Sequence, residues 1–129
     1  MLVWMVVIFA GSSLTADTVT ERTRDISPAF ISSYLRLVAA HMAEYAILAV
    51  LAYWAFQTIE SLALRTLWMA VIVFTTLYAI SDEVHQAFTP GRAPSVEDVI
   101  FDTLGGTVGV IFAEILSRRL RASRASSSR

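Results

Sequence analysis

Tyr78, Asp82, His85 and Gln86 stand three or four residues apart, and Asp98 and Asp102 repeat that spacing further on, with Arg92 between the two groups. On helices such spacing puts each set on one face. Two stripes of ionisable side chains are therefore expected, with Glu83 one position off the first. Upstream, His41 and Tyr45 share a face beside Glu44, and Ser12 and Ser13 stand as a pair. Histidines among carboxylates are the makings of a general acid–base site. His85 or His41 would be the base, Asp102 or Asp82 its support, and Ser12 or Ser13 a nucleophile. Arg92 has a planar fork of donors suited to phosphate or carboxylate and is the residue to hold an anionic headgroup. His41, Tyr45, Asp82, Glu83, His85, Gln86, Arg92, Asp98 and Asp102 make up the candidate ligand-binding set. A His-and-carboxylate metal site is a weaker variant, because no helical His-Glu-x-x-His spacing is present. Neither a metal nor another cofactor is expected.

Several of these residues also have a plainer reading. Asp98 fits a helix cap as well as it fits a site. Glu83 is expected to be solvated or paired with Arg92, and His41 with Glu44 reads first as an interhelical contact that fixes packing. Asp82, His85, Arg92 and Asp102 carry the site reading, because ionisable groups within a membrane segment are functional candidates by default.

That condition depends on the elements that position them. Of the 129 residues, 56% are hydrophobic and 16% charged, against roughly 25% charged in an ordinary soluble domain. Apolar runs extend over Leu2 to Ala10, Leu37 to Phe56, Leu62 to Ile80 and Val96 to Leu116. A bilayer-spanning helix takes about 20 mostly apolar residues. The fold expected is all-α, a four-helix transmembrane bundle, in a multi-pass protein of the cell membrane. The first run is short, about 24 Å even if it continues to Ala16. Either its neighbours hold it in a thinned bilayer or the natural start lies upstream of Met1. A cleaved signal peptide is rejected, since no basic residue precedes Arg22.

Local signals refine the layout. Ser27 before Pro28 is an N-cap followed by a first-turn proline, so the second helix should run from there to about Thr58. Pro90, Gly91 and Pro94 mark a short rigid turn, after which Ser95 and Asp98 fit a capping box for the fourth helix. Five of the ten basic residues, Arg118, Arg119, Arg121, Arg124 and Arg129, lie in the tail. By the positive-inside rule both termini are then cytoplasmic. The bundle domain is placed at residues 1–120 and a basic, disordered cytoplasmic tail at 121–129. With no cysteine, there is neither a disulfide framework nor thiol chemistry.

Each polar cluster falls at the outer end of its helix in this topology, so the clusters are expected to meet inside the bundle. Charged groups there face one another or water, at a cost of about 2.5 to 3.5 kcal/mol at mid-bilayer even on the lenient scale. Gly105 and Gly109 form a small-xxx-small pattern that lets the fourth helix approach a neighbour closely.

"SDEVHQAFTPGR" followed by "DVIFDTLGGTVG" resembles the VanZ-like family of small multi-pass membrane proteins. Its most specific pattern is an acidic pair, His-Gln, a Pro-Gly-Arg turn, and Asp before a Gly-rich helix. "FAGSSLT" is similar to the paired serines that close that family's first helix, and "HMAEYAIL" to the His-x-x-x-Tyr of its second. The likeness runs from about Val7 to Gly109. Leu14 stands where glutamine is frequent, and Val38 where a basic residue is frequent, with Arg36 nearby. The resemblance implies an association with resistance to teicoplanin-type lipoglycopeptide antibiotics.

Three function classes follow. One is a binding or shielding protein for an envelope lipid, a lipid-linked cell-wall precursor or a lipoglycopeptide. The second is an intramembrane enzyme on a lipid-linked substrate. The third is a small transporter, for which four helices without a repeat would need to oligomerise. Membrane lipids are the surrounding partners, and nucleic acid is excluded because the basic tail lacks interleaved aromatics.

Overall fold

The structure is a computed structural model that describes residues 1–14, 28–59, 62–89 and 94–127, without the side chains of 13, 14 and 28–33. Arg92, the Pro90–Gly91 turn, the Ser27 cap and the Ser13 hydroxyl lie outside the described set. Four helices follow in order: α1 (Leu2–Leu14), α2 (Pro28–Gln57), α3 (Leu64–Gln86) and α4 (Val96–Ser127). No strand occurs among the described residues. The stretch 34–57 of α2, together with α3 and α4, is long and apolar enough to cross a membrane. α1 has 13 residues and makes about 20 Å of helix, less than the roughly 30 Å hydrocarbon core.

Burial is inverted relative to a soluble bundle. Leu77 is 60% exposed and Phe112 58%, while Asp102 is 1% and Asp82 3% exposed. An apolar exterior around a polar interior is stable when lipid is the solvent, because an unpaired charge in hydrocarbon costs far more than an exposed leucine gains.

The central contact is a seam between α2 and α4. A Cβ at Gly105 would overlap the backbone carbonyl of Met42, and one at Gly109 that of Ala46. Both pairs increase together along the chain, so the two helices run parallel, with glycines letting one backbone lie on the other. Below the glycines the seam continues through Ala49, Val110 and Ala113, which with Tyr53, Leu67 and Val71 form one apolar core. α3 packs on the same pair. A Cβ at Gly106 would stand 2.8 Å from the Thr75 hydroxyl, and the Thr76 and Thr103 hydroxyls are 3.2 Å apart. α1 packs on α3 and α2 only, among the described residues, with Ile8 buried against Tyr45, Leu48 and Ala79.

The fourth helix runs on through its polar far end. No break occurs at residue 120, and α4 continues to Ser127 with 121–127 exposed. The physical reason is that Arg and Ala are good helix formers and nothing between Ala113 and Ser127 is a glycine or proline.

The seam makes a prediction with an internal control. Gly109→Ala should destabilise the detergent-purified protein by about 1–3 kcal/mol, seen as a lower thermal midpoint. Gly11→Ala, where an added Cβ meets nothing within 4 Å, should leave the midpoint unchanged or raise it, since alanine is the better helix former.

Candidate functional site

The C-terminal turns of α3, the end of α1, the upper half of α2 and the first turns of α4 bring their polar residues to one end of the bundle. Two linked clusters result.

The first joins α1 to α3. The Ser12 hydroxyl donates to Asp82 Oδ1 at 2.9 Å and also lies 3.0 Å from the Phe9 carbonyl. Gln86 Nε2 donates to Asp82 Oδ2 at 3.0 Å. Both carboxylate oxygens therefore accept hydrogen bonds, as a buried acid requires. The His85 ring stacks on Phe9, with centroids 3.8 Å apart and planes inclined by 25°. One turn below, the Tyr78 hydroxyl donates to the Met5 carbonyl at 2.5 Å. α1 is thus held to α3 by two hydrogen bonds, Ser12 to Asp82 and Tyr78 to Met5, and by the Phe9–His85 stack.

The second cluster joins α2 to α4. His41 Nδ1 stands 3.6 Å from Asp102 Oδ1, a close approach just beyond hydrogen-bond length. Tyr45, one turn along from His41, is 0% exposed. Its hydroxyl, His41 Nδ1 and Asp102 Oδ1 are all buried without a hydrogen-bond partner among the described residues. The Tyr45 and Tyr78 rings lie 6.2 Å apart and tilted, which joins the two clusters. Asp82 is also within electrostatic reach of both Tyr45 and Asp102. Glu44 is half-buried, and its backbone carbonyl accepts from the Trp4 indole at 2.9 Å.

Glu83 does not behave as expected. It is 6% exposed rather than solvated, and its Oε2 accepts the Ser95 N–H at 2.7 Å. Ser95 Oγ in turn accepts the Asp98 N–H at 3.3 Å. The capping box is therefore half as read. Ser95 is the N-cap, but the donor expected to go to Asp98 goes to Glu83, which clamps the end of α3 onto the start of α4. Asp98 is half-buried in the first turn of α4 and within electrostatic reach of His41 and Asp102.

Asp102, Asp98 and Glu44 thus lie within electrostatic reach of His41, and with Asp82 and Glu83 at the same end they make an acceptor-rich region that suits a ligand bringing hydroxyl, amide or ammonium donors. Among the described residues, no three His, Asp or Glu side chains are placed to hold a metal ion. Beside the cluster, an apolar groove of about 570 Å³ runs past Val84, Phe88, Val96 and Val99, with Glu83 in its wall.

The sequence reading missed a third polar group, at the opposite end. Glu114 is 6% exposed; it accepts from the Tyr53 hydroxyl and pairs with Arg118 one turn on. An acid in the run "VIFAEIL" with arginine four residues later was the available signal.

The Ser12–Asp82 contact can be weighed directly. Ser12→Ala and Asp82→Asn should be non-additive in thermal stability, with a coupling of about 1.5–3 kcal/mol for a buried bond to a charged group. Strict additivity would show that the bond holds nothing together.

A family model described as VanZ/LLP1 matches residues 1–117. No curated protein and no solved structure gives a match.

Proposed function

Since the chain belongs to the VanZ/LLP1 family, we propose that this membrane protein binds the polar head of a membrane-borne envelope molecule at the Asp102 end, and thereby protects the envelope against teicoplanin-type lipoglycopeptides. The observation that carries this reading is the state of Asp102. It is a carboxylate 1% exposed with one oxygen unpartnered beside an unpartnered Tyr45 hydroxyl. Buried polar atoms are costly unless paired. A ligand donor reaching Asp102 and Tyr45 would recover that cost, which is a reason for affinity. The adjacent groove supplies an apolar track for an acyl or prenyl chain, so an amphiphile suits the two surfaces together.

Orientation belongs to the same proposal. Arg65, Arg118, Arg119, Arg121, Arg124 and Arg129 would be cytoplasmic, and the Asp102 end would face outward, where such drugs and cell-wall precursors meet. The chain has no cysteine, so single cysteines at Thr89 and Ser126 report this cleanly. An impermeant thiol reagent on intact cells should label position 89 and not 126; the reverse pattern inverts the protein.

A second reading, an intramembrane hydrolase or transferase, is favoured by one contact. The Ser12 hydroxyl already donates to a buried carboxylate at 2.9 Å, so Asp82 could accept its proton as Ser12 attacks.

The two readings separate by substitution. Asp102→Asn keeps size and one acceptor but removes the charge, so it should give normal abundance and lost protection. Asp102→Leu should lose abundance as well, because His41 is left facing hydrocarbon. Protection unaffected by Asp102→Asn at normal protein level overturns the binding reading. Protection abolished by Ser12→Ala alone, with Asp102→Asn silent, selects the enzyme.

A further inference from the structure

At the end of the bundle away from Asp102, a cavity of about 390 Å³ opens between the last turn of α2, the start of α3 and the last third of α4. That volume falls in the roughly 300–1,000 Å³ range of small-molecule sites. Its walls are of two kinds. Ile59, Leu62, Leu64 and Leu67 make an apolar side, and Tyr53, Gln57 and Arg121 a polar one.

Among the described residues, charge at this end is mostly positive. Glu114 is neutralised where it stands by Arg118 and the Tyr53 hydroxyl. Arg119, Arg121 and Arg124 follow on the exposed end of α4, with no acid on that helix after Glu114. Of these, Arg121 lines the cavity and makes no ion pair or hydrogen bond among the described residues. A guanidinium at the mouth of a half-apolar cavity, backed by a tyrosine whose own hydroxyl is committed to Glu114, has a defined complement. It calls for a singly charged group that offers two acceptor oxygens to the planar guanidinium fork and is carried on hydrocarbon.

We propose that this cavity is a binding site for an anionic phospholipid of the adjoining leaflet. The phosphate sits on Arg121, with Gln57 as second donor, and the first carbons of a chain lie along Leu64 and Leu67. The Tyr53–Glu114–Arg118 network forms the wall behind Arg121 and holds Glu114 on another arginine. Lipid in place here pins α2, α3 and α4 to one another at the end that α1 does not reach through its polar contacts. This site is independent of the Asp102 end and stands or falls separately.

The test uses the full chain in lipid nanodiscs of phosphatidylcholine alone or in equal mixture with phosphatidylglycerol, with retained lipid read by native mass spectrometry after transfer to detergent. The expected result is selective retention of phosphatidylglycerol, reduced about tenfold by Arg121→Gln, the loss of one charge-assisted contact. Arg124→Gln, a surface arginine off the cavity, should change it less than about twofold. Leu64→Trp, which fills the cavity and leaves every arginine in place, should reduce retention as Arg121→Gln does. Equal effects of Arg121→Gln and Arg124→Gln, or full retention with Leu64→Trp, would overturn the site in favour of diffuse surface attraction. Displacement of the lipid by glycerol phosphate at equal concentration would overturn the commitment to a lipid, because the apolar wall would then contribute nothing.

Discussion

Everything polar in this protein is positioned by one apolar event, the backbone contact of α2 with α4 at Gly105 and Gly109. The carbonyls of Met42 and Ala46 occupy the space that side chains would need, so the helices can meet in that register and no other nearby. The parallel register then carries His41 to Asp102 one turn above the glycines and Tyr53 to Glu114 below them. A single close approach thus fixes both polar ends. Association in lipid has no hydrophobic driving force of its own, and small residues that let backbones touch are how packing substitutes for it.

The two ends use their acids differently. At the Glu114 end the carboxylate is satisfied by a tyrosine and an arginine, and Arg119, Arg121 and Arg124 follow beyond it. Around Asp102 the balance is reversed, with carboxylates in excess of imidazoles and polar atoms left without partners. Asp82 shows that the bundle can satisfy a buried acid there, since Ser12 and Gln86 together serve both its oxygens. At this end the unpartnered atoms among the described residues, on His41, Tyr45 and Asp102, therefore lie on the α2–α4 side. An acceptor-rich Asp102 end and a donor-rich Arg121 end would let one small bundle recognise different chemistry on each side of a membrane.

Much of this was legible in the sequence, and the parts that were not share a cause. Apolar runs marked all four helices, since bilayer thickness sets their length. Helical spacing placed Asp82 with Gln86 and His41 with Tyr45, and the Gly105–Gly109 pair announced a close contact. Three features were hidden. Glu83 caps α4 from α3, a bond across twelve positions that a motif read locally assigns to Asp98 instead. Glu114 sits within an apolar run and was taken as background, although its partner Tyr53 lies on another helix. The end of α4 was read as tail because its composition is polar, whereas exposed arginine and alanine sustain a helix well. For Glu83 and Glu114 a local pattern was overruled, or completed, by a residue distant in sequence.

The parallel seam also has a meaning for how the protein comes into being. α2 and α4 are not consecutive, so α3 must cross back before they can touch. For the time it takes to synthesise and deliver the last helix, His41 and Tyr45 sit in the bilayer without the carboxylate they will eventually face. The half-made chain is thus a three-helix species with exposed polar groups, the kind on which membrane chaperones and proteases act. How much of this protein a cell holds is then decided less by the depth of the folded minimum than by how promptly α4 arrives to close it.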